Sequence, residues 1–122
     1  MSVSSLRELR VWQLAMELAL TVYKGTERFP KHELYGLAQQ MRRAAVSVAS
    51  NIAEGKGHRS DREFQRFLFH ARGSLLELET QIILASTLEY LPVDQSGALQ
   101  ALATQVGRSL TGLVRSLDAV TG

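Results

Sequence analysis

Apolar residues recur at three- and four-residue intervals along four stretches of the chain, and no stretch carries a convincing strand pattern. In the first, Val11, Ala15, Leu18 and Val22 form one stripe, and Trp12, Met16, Ala19 and Tyr23 form a second beside it. Phe29-Pro30 ends it, because the residue before a proline is pushed out of the helical region. In the second, Leu34, Leu37, Met41, Ala44, Val48 and Ile52 keep helical spacing. Gly55 and Gly57 then offer the left-handed conformations that stop a helix. The third opens on Ser60-Asp61-Arg62-Glu63, a capping box in which the Ser60 hydroxyl accepts from the Glu63 N–H and the Glu63 carboxylate reaches back. Phe64, Leu68, Ala71, Leu75, Leu78, Ile82 and Ala85 carry its seam, and Pro92 closes it. Asp94 or Ser96 opens the fourth, with a stripe of Leu99, Leu102, Val106, Leu110, Leu113 and Leu117. Gly107 and Gly112 weaken this last helix, which predicts fraying toward its C-terminus.

These patterns place helices at about residues 10–28, 33–54, 60–90 and 95–119. At 1.5 Å per residue they would be roughly 30–45 Å long. Short connections make neighbours antiparallel, so the expected fold is an all-α, antiparallel up-down-up-down four-helix bundle, one domain over residues 1–122. The chain is 45% hydrophobic, enough for a core and unlike a disordered composition. Repeats and low-complexity segments are absent.

Two of the four helices are apolar on more than one side. Phe69, Leu76 and Ile83 follow each other at seven-residue spacing, about 100° round from Leu68, Leu75 and Ile82. The first helix is similarly wide through Trp12. A second stripe left in water would be a sizeable exposed patch. Either the connecting loops cover it or copies of the chain associate through it, with the first and third helices as contact surfaces and the fourth facing solvent.

The stretch Ser47-Val48-Ala49-Ser50-Asn51-Ile52-Ala53-Glu54-Gly55 sets hydroxyls, an amide and a carboxylate among small side chains inside a helical pattern. Ser and Asn do not favour helix interiors, since they offer the backbone competing hydrogen bonds. Small side chains let a second helix approach, and Gly73 and Ser74 on the third helix would be the matching surface, with the polar groups bonding across it. A direct ligand or nucleic-acid contact is the other reading. Glu54, Glu77 and Glu79 read as structural carboxylates. Glu54, near a glycine-ended helix terminus where an anion is unfavourable, calls for Arg42, Arg43 or a backbone N–H as partner.

The net charge is only +2, but its distribution is uneven. Lys56, Arg59, Arg62, Arg66 and Arg72 stand close together with His58 and His70, while Glu77, Glu79 and Glu89 follow later in the same helix. Cations first and anions last run against the helix dipole. Intersubunit salt bridges or a phosphate-contacting patch would each explain this choice, the latter formed by Lys56, Arg59, Arg62 and Arg66 with Arg42 and Arg43. Cysteine is absent, which removes disulfides and thiol chemistry. The chain has no Glu-x-x-His pair, and His32, His58 and His70 are scattered, so no metal site is expected. Gly55-Lys56-Gly57 lacks the rest of a phosphate-binding loop. No cofactor and no enzymatic activity are expected. No apolar run approaches the roughly 18 residues of a membrane span. The opening Met1-Ser2-Val3-Ser4-Ser5 lacks the marks of a secretory leader, so a cytoplasmic protein is expected.

Arg42-Arg43-Ala44-Ala45-Val46-Ser47, Ser50-Asn51-Ile52-Ala53-Glu54-Gly55, Phe67-Leu68 and Gly73-Ser74-Leu75-Leu76-Glu77-Leu78-Glu79-Thr80, in this order, resemble the 23S rRNA intervening-sequence protein family of bacteria. Leu9-Arg10-Val11-Trp12 and Phe29-Pro30 add to the likeness, which runs from about residue 6 to residue 118. The resemblance implies an antiparallel four-helix bundle that assembles into a ring-like homopentamer, without known enzymatic activity. It extends to the accessory proteins of diversity-generating retroelements, basic pentamers that bind nucleic acid and a reverse transcriptase, from which this chain departs in its modest charge. Two functions follow as expectations: a scaffold or adaptor binding nucleic acid, RNA before DNA, or a protein-interaction module that binds none.

Overall fold

The computed structural model describes residues 3–121, with side chains from residue 5 to residue 118. Met1, Ser2 and Gly122 lie outside the described residues, as does the side chain of Ala119, where the last helix was expected to end. The elements are α1 (Val3–Arg7), α2 (Arg10–Thr26), a 3-10 turn (Lys31–Glu33), α3 (Leu37–Lys56), α4 (Asp61–Thr87) and α5 (Val93–Thr121). The described residues contain no strand. α1 was not legible in the sequence, because five residues hold too little of a helical period.

The helix boundaries have local causes. Pro30 leads into the 3-10 turn, and Gly36, at φ −111° and ψ −111°, separates that turn from α3. α3 therefore begins four residues later than the apolar spacing suggested, and Leu34 leaves the core stripe for the surface. The Glu33 carboxylate accepts from the Leu37 N–H at 3.2 Å, which satisfies one of the free donors of the first turn. At α4 the Ser60 hydroxyl accepts from the Glu63 N–H at 3.0 Å. The Glu63 carboxylate does not turn back but takes Arg66, 2.9 Å away. α4 stops at Thr87, not Tyr90, because Glu89 enters the left-handed region at φ 64° and the Tyr90 N–H bonds the Ala85 carbonyl at 2.9 Å. α5 starts directly after Pro92, so Ser96 lies within its first turns, buried. Its glycines do not end it early, and it continues to Thr121.

α2 packs on α3 and α5, and α4 packs on α3 and α5, so four long helices surround one core. Val11, Leu18 and Val22 of α2 meet Met41, Val48 and Ile52 of α3, Leu68, Leu75, Leu78 and Ile82 of α4, and Leu99, Val106 and Leu110 of α5 in that core. Each fully buried Leu or Ile contributes about 1.5–3 kcal/mol relative to exposure. Phe29, Tyr90 and Leu91 close one end, with the Phe29 and Tyr90 rings 5.5 Å apart. Burial, then the neighbouring Glu33 carboxylate, raises the Tyr90 phenol above its ordinary value.

The tightest approach lies between α3 and α4. Gly55 is buried inside α3 and none of the described glycines has a positive φ, so its role is space and not the left-handed helix stop expected of it. A Cβ there would sit 2.7 Å from the Phe67 Cβ and 3.0 Å from Phe64 Cδ1. Gly73 behaves differently from the close-packing role expected of it. It faces solvent, and a Cβ would meet nothing within 4 Å. Gly55→Ala should therefore destabilise the fold by about 1–3 kcal/mol through overpacking. Gly73→Ala should stabilise it by about 0.5–1 kcal/mol through helix propensity. Urea unfolding of the two variants reads the opposite signs.

Candidate interaction surfaces

Ser47 and Asn51 of the central motif lie at the α3–α4 contact with Ser74. The Ser47 and Ser74 hydroxyls lie 2.8 Å apart across it. Asn51 donates to the Ser47 carbonyl at 2.8 Å and to the Ser47 hydroxyl at 3.1 Å. All three side chains are half-buried, and the chain of bonds ties one turn of α3 to one point on α4. Ala44, Ala45, Val48 and Ile52 around them are buried, which makes the hydroxyl pair the polar element in an apolar seam. Ser50, on another side of α3, belongs to the α2–α3 groove. Glu77 lines a shallow α3–α4 groove with Arg43, Gln40 and Ser47, and accepts weakly from Gln81 at 3.5 Å. Glu54 is exposed and takes neither Arg42 nor Arg43; its charge acts on Arg66.

Apart from Arg43 in the groove with Glu77, the candidate basic residues divide into two groups. Arg42 is held within the fold. Its Nε donates to the buried Thr26 hydroxyl at 2.8 Å, its Nη2 to the Tyr23 carbonyl at 3.4 Å, and its guanidinium lies 4.8 Å from the Tyr23 ring centre. Thr26, which sequence reasoning missed, links α2 to α3; an internal threonine at the end of an apolar stripe was the only signal. The second group sits at the corner where α3 passes into α4. Lys56 lies over Phe64, Arg66 over Phe67 at 4.6 Å, and the His58 ring stacks on Phe67 at 4.9 Å. Arg59 and Arg62 are exposed there. Arg66 is bound to Glu63; this hydrogen bond raises Arg66 and holds the Glu63 carboxyl below its ordinary value. Among the described residues, Lys56, Arg59 and Arg62 at this corner have no ion-pair partner.

Two apolar surfaces remain uncovered. On α4, Phe69, Leu76 and Ile83 are 55%, 55% and 57% exposed, so none of the described loops covers them. Phe69 and Leu76 border grooves shared with α5. On the other side, Trp12, Met16, Leu20 and Tyr23 of α2 and Val46 and Ala53 of α3 line a groove of about 370 Å³. Trp12 is half-buried at its edge, and Leu20 is 59% exposed. The four-helix arrangement sets the α2–α3 side opposite the α4–α5 side. Among the described residues no group of three or more potential metal ligands occurs, and no helix is long and apolar enough to cross a membrane.

These features define a helical-bundle protein with one polar seam between α3 and α4, one basic corner and two apolar flanks. The family model described as 23S rRNA-intervening sequence protein matches residues 7–112, and the chain belongs to that family. A solved structure, a protein of unknown function from the S23 ribosomal protein family of Bacteroides thetaiotaomicron VPI-5482, is similar in fold. Its TM-score is 0.77 at 21% identity, covering 85% of this chain and 97% of that one. No curated protein matches.

The Ser47–Ser74 bond joins two half-buried hydroxyls, so Ser47→Ala and Ser74→Ala should each cost about 1 kcal/mol. A double-mutant cycle by urea unfolding should return a coupling of about 0.5–1.5 kcal/mol, since the two singles remove the same bond.

Proposed function

We propose that this protein is a non-enzymatic, homo-oligomeric, antiparallel up-down-up-down bundle that serves as a scaffold or adaptor for nucleic acid, RNA in the first place. The antiparallel order is supported by contacts that pair the end of α2 with the start of α3 and the end of α5 with the start of α4 (Thr26–Arg42, Gln65–Val114). The observation that carries self-association is the pair of apolar surfaces on opposite flanks, one through Leu20 and the other through Leu76. A single patch could be masked by one partner; two call for a repeating contact. Five copies are what the family resemblance implies. Static light scattering should give a mass several times that of one chain. Leu76→Glu combined with Ile83→Glu should return it to one chain with helical circular dichroism intact, because both side chains are already exposed.

The nucleic-acid contact rests on Lys56, Arg59 and Arg62 at the α3–α4 corner. Repetition of the corner around an oligomer turns a modest charge per copy into a substantial local field. Three phosphate contacts per site predict a log–log slope of RNA affinity on salt of about −2. Arg59→Glu with Arg62→Glu should abolish binding at low salt. The Arg66–Glu63 pair favours a second reading, a protein-interaction module without nucleic acid, since it removes one arginine from the corner. Absence of RNA binding at low salt, together with a stoichiometric protein partner indifferent to the corner variants, would select it.

A further inference from the structure

We infer that the α3–α4 corner takes an unpaired base of single-stranded RNA on the face of the His58 ring turned away from Phe67, so that the site recognises strands with free bases. The inference rests on the nucleic-acid reading above and adds which part of the strand is held and by which side chain. The corner is not only basic, because its cations lie on rings. Lys56 stands over Phe64 at 5.8 Å and Arg66 over Phe67 at 4.6 Å. His58 stacks on Phe67 at 4.9 Å with 21° between the ring planes, and the His70 ring tilts against the same phenyl group at 6.0 Å. Proteins that carry single strands combine these two elements, cations for the backbone and flat rings for the bases.

Each part of this platform is held before any ligand arrives. Phe67 is half-buried and rooted against Gly55, where a Cβ would come within 2.7 Å of the Phe67 Cβ. The Arg66 guanidinium over the ring is fixed by the Glu63 carboxylate, to which Nε donates at 3.2 Å and Nη2 at 2.9 Å. That pair takes Arg66 out of phosphate binding and makes it a support for the ring. His58 stands in the four-residue turn between α3 and α4, and its backbone N–H donates to the Gly55 carbonyl at 3.1 Å. Its side chain is exposed, and among the described residues Phe67 is the only ring stacked on it. A ring already in place, with one face open, loses little freedom when a base covers it. Lys56 and the exposed Arg59 and Arg62 then meet the phosphates on either side. A duplex offers the same phosphates but keeps its bases stacked on one another, which leaves the His58 ring nothing to take.

The probes are an unstructured RNA strand of about 12 nucleotides and the duplex it forms with its complement, titrated over a range of salt concentrations. His58→Ala should weaken the strand by about 5- to 100-fold, the worth of one base stacked on an aromatic side chain. The same change should leave the salt slope for the strand, and any affinity for the duplex, where they were. His58→Phe keeps a flat ring without a charge and should hold the strand as the unmodified protein does. His58→Lys keeps a charge without a ring and should bind like His58→Ala. Helical circular dichroism should be intact in all three, because the side chain is exposed. Full strand affinity in His58→Ala would overturn the inference. Rescue by lysine and not by phenylalanine, or an equal loss for strand and duplex, would overturn it in favour of a purely electrostatic contact. No binding of the strand by the unmodified protein at low salt would instead sink the nucleic-acid reading, and the stacked base with it.

Discussion

The contact between α3 and α4 governs the molecule. Gly55 lets the end of α3 lie against Phe64 and Phe67, and the Ser47–Ser74 bond pins the two helices one above the other further along. An apolar seam alone would tolerate sliding by a turn, because Ala, Val and Leu side chains interdigitate in several registers. A half-buried hydroxyl pair in such a seam favours one register, since any slide breaks the Ser47–Ser74 bond. With that register set, the remaining helices have little choice. Thr26 and Arg42 tie α2 to α3, and Gln65 ties α5 to α4 through the Val114 carbonyl and the Asp118 carboxylate.

What that register exposes is as informative as what it buries. The side chains that face the core on α4 leave Phe69, Leu76 and Ile83 one step round the helix, and the α2 core stripe leaves Met16, Leu20 and Tyr23 on its flank. The bundle is satisfied internally and unsatisfied externally. Membership of the 23S rRNA-intervening sequence protein family places the chain among relatives without assigning it a reaction. The corner of Lys56, Arg59 and Arg62 joins a short turn to the first turn of α4, where repetition would gather charge at one end of an assembly.

Much of the architecture was legible in apolar periodicity, because one buried face at 3.6-residue spacing leaves a strong mark. The partnership of Ser47 with Ser74 was legible for the opposite reason: polar groups among small residues on an otherwise buried face need a partner on the helix packed there. Other features left no such mark. The Gly36 break cannot be seen when Leu34 and Leu37 keep helical spacing across it. Glu89 holds a left-handed conformation that composition alone assigns to glycine. Gly55 and Gly73 look alike in sequence, yet one is enclosed by two aromatic rings and the other faces water. Arg42 read as a surface cation, and only the fold reveals that its guanidinium is spent on Thr26 and Tyr23.

The two ends of the bundle differ in tolerance. At one, α3 and α4 are joined by only four residues, 57–60, between the close Gly55–Phe64 approach and a capped first turn. At the other, residues 27–36 run from α2 to α3 through a 3-10 turn, with Tyr35 89% exposed. Lengthened loops and grafted segments thus have a natural home near Tyr35, where an inserted stretch extends into open solvent. The four-residue turn at the far end spans two closely packed helix ends, so diversification of this fold would accumulate asymmetrically along its axis.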